Sequence, residues 1–211
     1  MPFSIETIPL GPLETNCHII RMDGQCCIVD PDAWPESLLD FFHQAELVPI
    51  KILLTHGHAD HISGVADIKK HYPECSMICP ADDVFMLSDA TANLSSMFGM
   101  NITAPQPDAT CVGGDVIDCN GTELHVLDTS GHTPGGVSYY LPSLSSVMTG
   151  DSLFAEGIGR TDLPLADGRK LVKNIRENLL SLPDETRVFP GHGPNSTIGH
   201  EKMYNQFVVC P

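Results

Sequence analysis

The sequence predicts one α/β domain that spans residues 1–211. Short apolar segments typical of β-strands alternate with segments of helical periodicity, so both kinds of element contribute to the fold. A chain of 211 residues is long enough to bury a core without disulfide bonds. Histidines and aspartates come directly after several predicted strands, on the loops by which a rigid scaffold presents a reactive site.

The first half of the chain contains five predicted strands and three predicted helices. The strands are short apolar runs, and the third ends at the turn sequence Asp30-Pro31-Asp32. The strands are predicted at Phe3–Ile8, Asn16–Arg21, Gln25–Asp30, Lys51–Thr55 and Ser76–Cys79. The helices are predicted from apolar residues three or four positions apart, at Glu36–Glu46, Ile62–His71 and Ala81–Asp89.

The second half opens with a long irregular segment, Thr91–Thr110, and loops of this length are uncommon unless they are functional or disordered. Five strands and two helices follow it. The strands are predicted at Val116–Cys119, Glu123–Asp128, Val137–Leu141, Ser145–Met148 and Arg187–Pro190. One helix is predicted at Gly168–Leu182 from its apolar spacing, and a short final helix is predicted after Ser196.

The chain is strongly acidic, with 27 acidic and 11 basic residues and a formal net charge of -16. Such a surface repels phosphate backbones, so we expect no nucleic-acid partner. The sequence has no run of about 18 apolar residues, and its first residues lack the pattern of a signal peptide. We therefore expect no membrane association and a cytoplasmic location. The eight cysteines are expected to be reduced there, as small buried apolar side chains.

The densest group of candidate metal ligands is the segment His56–His61, with the sequence HGHADH. Neutral imidazole and carboxylate groups are ligands that suit zinc, iron and manganese. In an extended turn, side chains two positions apart point the same way, so His56 and His58 could bind one ion. If the chain then enters a helix, Asp60 and His61 face a neighbouring ion.

Three further candidate ligands follow predicted strands, and each is preceded by a glycine. They are His132, Asp151 and His192. Glycine permits positive φ and a close approach of the backbone to an ion. The four motifs in this order are far more specific than any one of them alone.

This series of motifs resembles that of the metallo-β-lactamase superfamily, and the resemblance covers the chain from residue 3 to about residue 207. It implies an αβ/βα sandwich, in which two mixed β-sheets pack face to face and are flanked by helices. It also implies two bound metals. The first would be held by His56, His58 and His132, the second by Asp60, His61 and His192, and both by a bridging Asp151.

The segments Gly150–Pro164 and Phe189–Glu201 resemble the short, single-domain bacterial members of the glyoxalase II-like (hydroxyacylglutathione hydrolase-like) branch. Larger glyoxalase II enzymes have a further C-terminal helical domain that helps to bind glutathione, and we expect none in this protein. They also have Lys and Tyr after the bridging aspartate, where this sequence has Arg160 and Asp162. Arg160 is therefore the candidate substrate-binding residue, and an ion pair with Asp162 is the alternative.

The resemblance implies hydrolysis of a small-molecule thioester, such as an S-2-hydroxyacyl thiol, by a hydroxide that bridges two divalent metals. Zinc is the expected metal, with iron or manganese as alternatives. Asp60 and Asp151 are the predicted catalytic residues, and Asp60 would also orient the hydroxide. A thiol with a pKa of about 8.5 leaves as thiolate without protonation. Because the motifs contain no spare general acid, they favour a thioester over an amide.

Two other functions are compatible with the sequence. Persulfide dioxygenases are also similar to this chain, including its Gly159–Asp162 stretch. They use a single iron held by two histidines and one aspartate, here His56, His132 and Asp151. A non-catalytic metal-binding domain is the second alternative. The sequence predicts no oligomeric state.

Residues outside the motifs are assigned to packing or to the surface. The apolar segment Met97–Met100 could form a rim of the substrate cleft or pack as a surface insertion. Five histidines are predicted not to bind metal: His18, His43, His71, His125 and His200.

Overall fold

The computed structural model describes residues 3–32 and 35–209. Contacts between Cα atoms divide the chain into two compact units. The first is Met1–Cys79 with Val84–Thr110, and the second is Pro80–Asp83 with Cys111–Pro211. Each unit contains a six-stranded mixed sheet. That the units act as the single domain expected from the sequence stays a prediction.

The sheet of the first unit has its strands in sequence order. They are β1 (Ser4–Leu10), β2 (Thr15–Arg21), β3 (Gln25–Val29), β4 (Val48–Leu53), β5 (Ser76–Pro80) and β6 (Ala109–Cys111). The first three strands are antiparallel, whereas β3, β4 and β5 run parallel. Parallel neighbours require crossover connections. Helix α1 (Pro35–Gln44) connects β3 to β4, and helices α2 (Ala59–Ile62) and α3 (Val65–His71) connect β4 to β5.

The core of the first unit forms between its parallel strands and these helices. In α1, Leu38 and Phe42 are four positions apart and fully buried, because residues at that spacing share one helix face. They belong to the same apolar cluster as Ile28 of β3 and Ile52 of β4. Each such side chain contributes about 1.5–3 kcal/mol through burial, so this packing fixes the strand ends that carry the first ligand loop.

The sheet of the second unit has the order β14-β13-β10-β9-β8-β7. Its strands are β7 (Val116–Cys119), β8 (Thr122–Asp128), β9 (Val137–Leu141), β10 (Ser146–Gly150), β13 (Arg187–Pro190) and β14 (Ser196–Thr197). Strands β10 and β13 are parallel, and the other neighbours are antiparallel. A separate hairpin consists of β11 (Leu153–Phe154) and β12 (Gly157–Ile158).

The helices of the second unit follow this hairpin and the last strand. Helix α4 (Gly168–Asn174) continues as a wider, π-helical turn over Ile175–Leu179, and helices α5 (Ile198–Tyr204) and α6 (Gln206–Val209) end the described chain. The Asp167 carboxylate caps α4 by accepting a hydrogen bond from the Lys170 N–H at 3.0 Å. Buried apolar residues of α4 and its continuation pack in one cluster with β10 and β13: Leu171, Ile175, Leu179, Val147 and Val188.

The predicted strands and helices occur in the predicted order, and the described residues form four further short strands that the sequence does not predict: β6, β11, β12 and β14. The helix expected at Ile62–His71 is two helices, and α2 begins early enough to include Asp60 and His61. The break lies at Gly64, where an added Cβ would come 2.4 Å from the carbonyl oxygen of Asp32. Only glycine allows that close backbone approach. The helix expected at Ala81–Asp89 is a 3₁₀ helix over Ala81–Ser88.

The described cysteines are buried and form no disulfide bonds with one another, as the sequence predicts: Cys17, Cys26, Cys27, Cys75, Cys79, Cys111 and Cys119. The eighth, Cys210, lies outside the described residues. Burial raises the pKa of the Cys26 and Cys75 thiols to about 12 and that of Cys111 to about 11. In the described ranges, no helix has the length and apolar character needed to cross a membrane.

We expect the folded protein to react very slowly with thiol reagents once Cys210 has been replaced by Ala. At pH 8, a thiol with a pKa of 11 or more is ionised in about one molecule per thousand, against about one in four for a free cysteine. All seven described thiols are also buried, so titration with a disulfide reagent at pH 8 should detect almost no rapidly reacting thiol in the native C210A variant and seven after unfolding in urea. Several fast thiols in the native state would contradict the buried placement.

Candidate metal centre

The first group of ligands lies at the end of β4, in the first unit. Leaving the strand at Leu53, the chain passes through His56 and His58 before α2 begins at Ala59. His58 has extended backbone angles, φ -70° and ψ 152°, so the loop is extended up to the helix. Asp60 and His61 then lie in α2, which is a single turn of four residues. The chain thus changes from an extended segment to a helix, which is the condition under which the sequence placed Asp60 and His61 beside a neighbouring ion, and four candidate ligands come together.

His56 and His58 direct ring nitrogens towards each other. The Nε2 atom of His56 lies 3.1 Å from the Nδ1 atom of His58. On its other side, His56 Nδ1 lies 3.0 Å from the Thr55 hydroxyl oxygen. That hydroxyl donates its own proton to Asp30, so it accepts the Nδ1 proton of His56. His56 Nε2 therefore carries the lone pair that a metal ion requires.

A buried carboxylate outside the motif, Asp30, orients this group of ligands. Its Oδ1 atom accepts the Thr55 backbone N–H at 2.7 Å. Its Oδ2 atom accepts the Thr55 hydroxyl at 2.6 Å and lies 2.9 Å from His61 Nδ1. Because an ionised carboxylate only accepts hydrogen bonds, it places the His61 proton on Nδ1 and the lone pair on Nε2. Asp30 thus fixes His61 directly and His56 through Thr55.

Asp30 also lies close enough to be considered a ligand itself. One of its oxygens and ring nitrogens of His56 and His61 are all within 4.8 Å of one another. Both oxygens, however, already accept hydrogen bonds from Thr55 or His61. We therefore assign Asp30 as the acceptor that orients the histidines and not as a ligand.

The fourth residue of the first group, Asp60, faces the imidazole ring of His61. Its Oδ2 atom lies 3.5 Å from His61 Nε2 and accepts a hydrogen bond from the hydroxyl of Thr15 at 3.2 Å. Thr15 is fully buried at the start of β2. The Asp60 side chain retains 20% of its exposure, whereas His61 is completely buried. Asp60 is therefore the member of this group that solvent can reach.

The second group of ligands lies in the second unit, around Asp151. Its two carboxylate oxygens face two different imidazoles. Oδ2 lies 3.6 Å from His132 Nε2, and Oδ1 lies 3.7 Å from His192 Nε2. The structure thus brings together the three ligands that the sequence predicts after separate strands. Strands β10 and β13 are parallel neighbours, so the residues that follow them, Asp151 and His192, emerge at the same edge of the sheet.

The His132 loop is held by backbone contacts and by a second buried aspartate. His132 Nδ1 donates to the carbonyl oxygen of Arg160 at 2.8 Å, which leaves Nε2 as the ligating nitrogen. The turn after His132 is fixed by the fully buried Asp83, which accepts the Thr133 hydroxyl at 2.6 Å and the Gly135 N–H at 2.7 Å.

The glycine before His132 allows this loop to approach α4. Gly131 has φ +133°, and a Cβ there would come 2.3 Å from the backbone nitrogen of Leu171. A residue with a side chain at this position would have to displace the helix backbone. The glycine therefore serves helix packing next to the ligand, and its conformation is one that residues with a side chain rarely adopt.

Within each ligand group, the distances between ligand atoms fit those around a bound metal ion. Two ligand atoms about 2.1 Å from one tetrahedral ion lie about 3.4 Å from each other. The Asp60–His61 contact and the two Asp151 contacts, at 3.5–3.7 Å, are close to that value and slightly too long for hydrogen bonds. The donor set of imidazole nitrogens and carboxylate oxygens suits zinc, iron or manganese. The residues present therefore fit divalent metal binding.

The structure also shows the contacts of Arg160 and of two histidines that are predicted not to bind metal. Arg160 forms a two-pronged ion pair with Asp162, at 2.9 and 3.0 Å, on the exposed surface. This is the alternative considered from the sequence, and a contact of Arg160 with substrate stays a prediction. Of the histidines assigned to other roles, His18 lies 3.0 Å from the Thr7 hydroxyl and His200 lies 2.9 Å from the Glu156 carboxylate.

Sequence reasoning missed the two aspartates that hold the ligand loops, Asp30 and Asp83. From the sequence alone, Asp30 is only the start of a predicted turn. A usable signal was available for it, since Asp30 and Thr55 follow strands β3 and β4, whose parallel pairing places both residues at one edge of the sheet. Asp83 gave no such signal, because its partners lie about 50 positions later in the chain.

Comparison with protein families gives a match to the metallo-β-lactamase superfamily over residues 10–192. Among curated proteins, the chain is 35% identical over 202 residues to a probable metallo-hydrolase, YqgX, of Bacillus subtilis, and the match covers 95% of each. It is 34% identical to hydroxyacylglutathione hydrolase GloC of Haemophilus influenzae, over 97% of this chain and 98% of that protein.

Solved structures with similar folds carry several different names. The B3 metallo-β-lactamase BLEG-1 has a TM-score of 0.95 and 34% identity, over 98% of this chain and all of that one. A di-iron-bound form of TTHA1623 has a TM-score of 0.87 and 36% identity, over 96% and 99% of the two chains. ETHE1 from Myxococcus xanthus has a TM-score of 0.77 and 25% identity, over 98% and 84%. The predicted metallo-β-lactamase fold is confirmed.

Replacing Asp30 by Asn should weaken metal binding. If the amide oxygen keeps the bond from the Thr55 N–H, the amide NH₂ group faces His61 Nδ1. A donor there favours the His61 tautomer with its proton on Nε2, which cannot bind a metal. We expect a loss of metal affinity of about tenfold or more, measured by competition with a chelator.

The matched control for this substitution is Asp108→Asn. Asp108 lies in the same unit and accepts the Met77 N–H and the Lys69 ammonium, each at 2.7 Å. Its variant should retain the wild-type metal affinity. Equal affinity of D30N and the wild-type protein would contradict the orienting role of Asp30.

Proposed function

The chain belongs to the metallo-β-lactamase superfamily of metal-dependent hydrolases, and we propose that it hydrolyses thioesters at a centre of two divalent metal ions. The observation that carries the proposal is the arrangement around Asp151. Each of its carboxylate oxygens faces the Nε2 atom of a different histidine. A carboxylate in this position is suited to bridge two ions, one bound by His132 and the other by His192.

The ligands of the first unit complete the proposed centre. As the resemblance implies, His56 and His58 would hold the first ion with His132, while Asp60 and His61 would hold the second with His192. Zinc is the proposed metal, with iron and manganese as alternatives. The assignment is supported by the order of the motifs and by the orientation of each ring, because His56, His61 and His132 all use Nδ1 for a hydrogen bond.

When bound, two such cations lower the pKa of a coordinated water and polarise the substrate carbonyl. The residues of the chain hold and orient the reactants around them. Asp60, partly exposed and fixed by the Thr15 hydroxyl, can accept a hydrogen bond from the attacking water and direct its lone pair. The reaction consumes one water and yields a carboxylic acid and a thiol.

The proposed substrate class follows from the leaving group. A thiol with a pKa of about 8.5 departs as thiolate without a proton donor, whereas an amide nitrogen requires one. The residues described around the ligands include acceptor carboxylates and ligating histidines but no separate acid. The name of the Haemophilus influenzae relative, hydroxyacylglutathione hydrolase, points to the same class. We further propose a cytoplasmic enzyme with a small-molecule substrate and neither a nucleic-acid nor a membrane partner.

A second candidate function is persulfide oxidation at a single iron held by His56, His132 and Asp151. It is supported by the ligand types, because two histidines and one carboxylate are typical of iron oxygenases. The di-iron-bound form of TTHA1623 also shows that a similar chain accepts iron. The position of Asp151 between two imidazoles favours the two-metal hydrolase, since a mononuclear site needs only one of them.

The wild-type protein should bind about two metal ions per chain. Replacing Asp151 by Ala should lower that number and abolish turnover. The bridging carboxylate is shared, so its loss removes a ligand from both ions. Metal content of the purified variant can be measured by mass spectrometry. The control is His125→Ala, which removes a histidine whose side chain is 45% exposed and which should leave both ions in place. Full activity of D151A would contradict the two-metal assignment.

A panel of substrates should separate the candidate functions. The protein loaded with zinc or with iron is assayed with a thioester, the β-lactam nitrocefin and a persulfide, and oxygen uptake is recorded. We expect the highest kcat/KM for the thioester, because a lactam nitrogen is a poorer leaving group than a thiolate. Nitrocefin turnover comparable to that of the thioester, or oxygen uptake with the persulfide, would overturn the proposal.

We expect the protein to bind the thiol portion of its thioester substrate only weakly. The net charge of -16 disfavours capture of an anionic thiol, and Arg160 is already paired with Asp162. We expect S-lactoylglutathione to be preferred over the same acyl group on a small uncharged thiol by less than about a hundredfold in kcat/KM. If Arg160 contacts the substrate, R160A raises KM and D162A does not. A larger preference would show that recognition groups exist elsewhere.

A further inference from the structure

A buried glutamate on α5, Glu201, has a role that the metal-ligand motifs do not account for. Its side chain is completely buried in the second unit. One oxygen, Oε2, accepts the backbone N–H of Glu156 at 2.9 Å and the side-chain amide of Asn205 at 2.8 Å. The other oxygen, Oε1, accepts the hydroxyl of Ser196. Two carboxylate oxygens therefore serve three donors from three different segments of the chain.

The segment that Glu201 holds is the β11–β12 hairpin. Its turn contains Glu156 in a left-handed conformation, φ +59°, which a residue with a side chain adopts only when its surroundings enforce it. Asn205 holds the other side of the turn by donating to the Gly157 carbonyl oxygen at 2.9 Å. Glu201 and Asn205 together fix the turn and the start of β12 to the C-terminal helices.

The same hairpin is connected at both ends to the second group of ligands. It begins two residues after Asp151 and returns to Arg160, whose carbonyl oxygen orients His132 at 2.8 Å. Its Phe154 ring lies 6.3 Å from the His192 ring, in an edge-to-face arrangement. The base of the hairpin is packed against the backbone, since a Cβ at Gly159 would come 1.8 Å from the Asp151 carbonyl oxygen. A shift of the hairpin would therefore move atoms that contact all three ligands of the second group, Asp151, His132 and His192.

We propose that Glu201 is a positioning residue that acts through the β11–β12 hairpin to hold Asp151, His132 and His192 in ligating geometry. It does not touch substrate or metal. The inference rests on the proposed metal centre but not on the identity of the substrate. A carboxylate is suited to the position because it accepts hydrogen bonds and donates none, and each of its oxygens has room for two.

Glu201 could instead only dock α5 onto the second unit. The neighbouring Lys202 provides the comparison, because it lies on the same helix and contacts a different segment. Its ammonium donates to the Asp184 carboxylate at 2.6 Å and to the Leu182 carbonyl oxygen at 3.1 Å. Removing the Lys202 contacts loosens α5 without removing an acceptor from the hairpin. The two residues therefore separate helix docking from ligand positioning.

The experiment compares E201A, E201Q and K202A with the full-length wild-type protein. In E201Q, the amide oxygen can keep the two N–H donors while the NH₂ group donates to the Ser196 hydroxyl oxygen, so most of the network survives. Each protein is stripped of metal and titrated with cobalt(II), and both the affinity and the visible absorption spectrum are recorded. The kcat and KM for a thioester are measured on zinc-loaded samples.

We expect E201A to bind cobalt about tenfold more weakly or worse, with an altered spectrum and a lower kcat at nearly unchanged KM. E201Q and K202A should resemble the wild-type protein in affinity and spectrum. Wild-type cobalt binding by E201A, or an equal loss in K202A, would overturn the inference. The cobalt readout needs no substrate, so it stands even if the wild-type protein fails to hydrolyse thioesters.

A second variant, N205A, covers the case in which E201A does not fold. It removes the donor to the Gly157 carbonyl but keeps the bond between Glu201 and Glu156. We expect a smaller loss of cobalt affinity, in the same direction as for E201A. Wild-type affinity and spectrum in N205A would count against the hairpin as the element that positions the ligands.

Discussion

The fixed orientation of buried imidazole rings is the constraint on which the rest of the site depends. A histidine binds a metal through one nitrogen, and the hydrogen-bond acceptor at its other nitrogen decides which one that is. His56 has the Thr55 hydroxyl as that acceptor, His61 has the Asp30 carboxylate, and His132 has a backbone carbonyl. In a buried site such bonds are stronger than in water, and leaving a partner unsatisfied costs about 1–3 kcal/mol.

Both units meet this constraint with the same structural device, a pair of parallel strands. In the first unit, β3 and β4 deliver Asp30 and the ligand loop to one edge of the sheet. In the second, β10 and β13 deliver Asp151 and His192 to one edge, and the Gly191 N–H donates to the Gly150 carbonyl at 2.8 Å to keep the two loops together. Within each unit, strand pairing therefore brings together residues that are distant in sequence.

The sequence predicted the described strands of four or more residues, the longer helices and the ligand motifs, because these depend on local spacing and periodicity. It missed what depends on contacts between distant segments. Asp30 and Asp83 hold ligand loops 25 and about 50 positions away, and no motif of neighbouring residues contains that information. The two-residue strands β11, β12 and β14 are too short for an alternating pattern. The early start of α2 was missed because His58, the residue before it, provides no side-chain cap.

The most direct test of the two-metal account is a crystal structure of the metal-loaded protein, with anomalous diffraction recorded at the absorption edge of the bound metal. We predict two anomalous peaks per chain, about 3.5–4 Å apart, with one Asp151 oxygen on each. His132 should contact one peak and His192 the other. A single fully occupied peak bound by His56, His132 and Asp151, with His192 turned away from it, would contradict the account and support the mononuclear alternative.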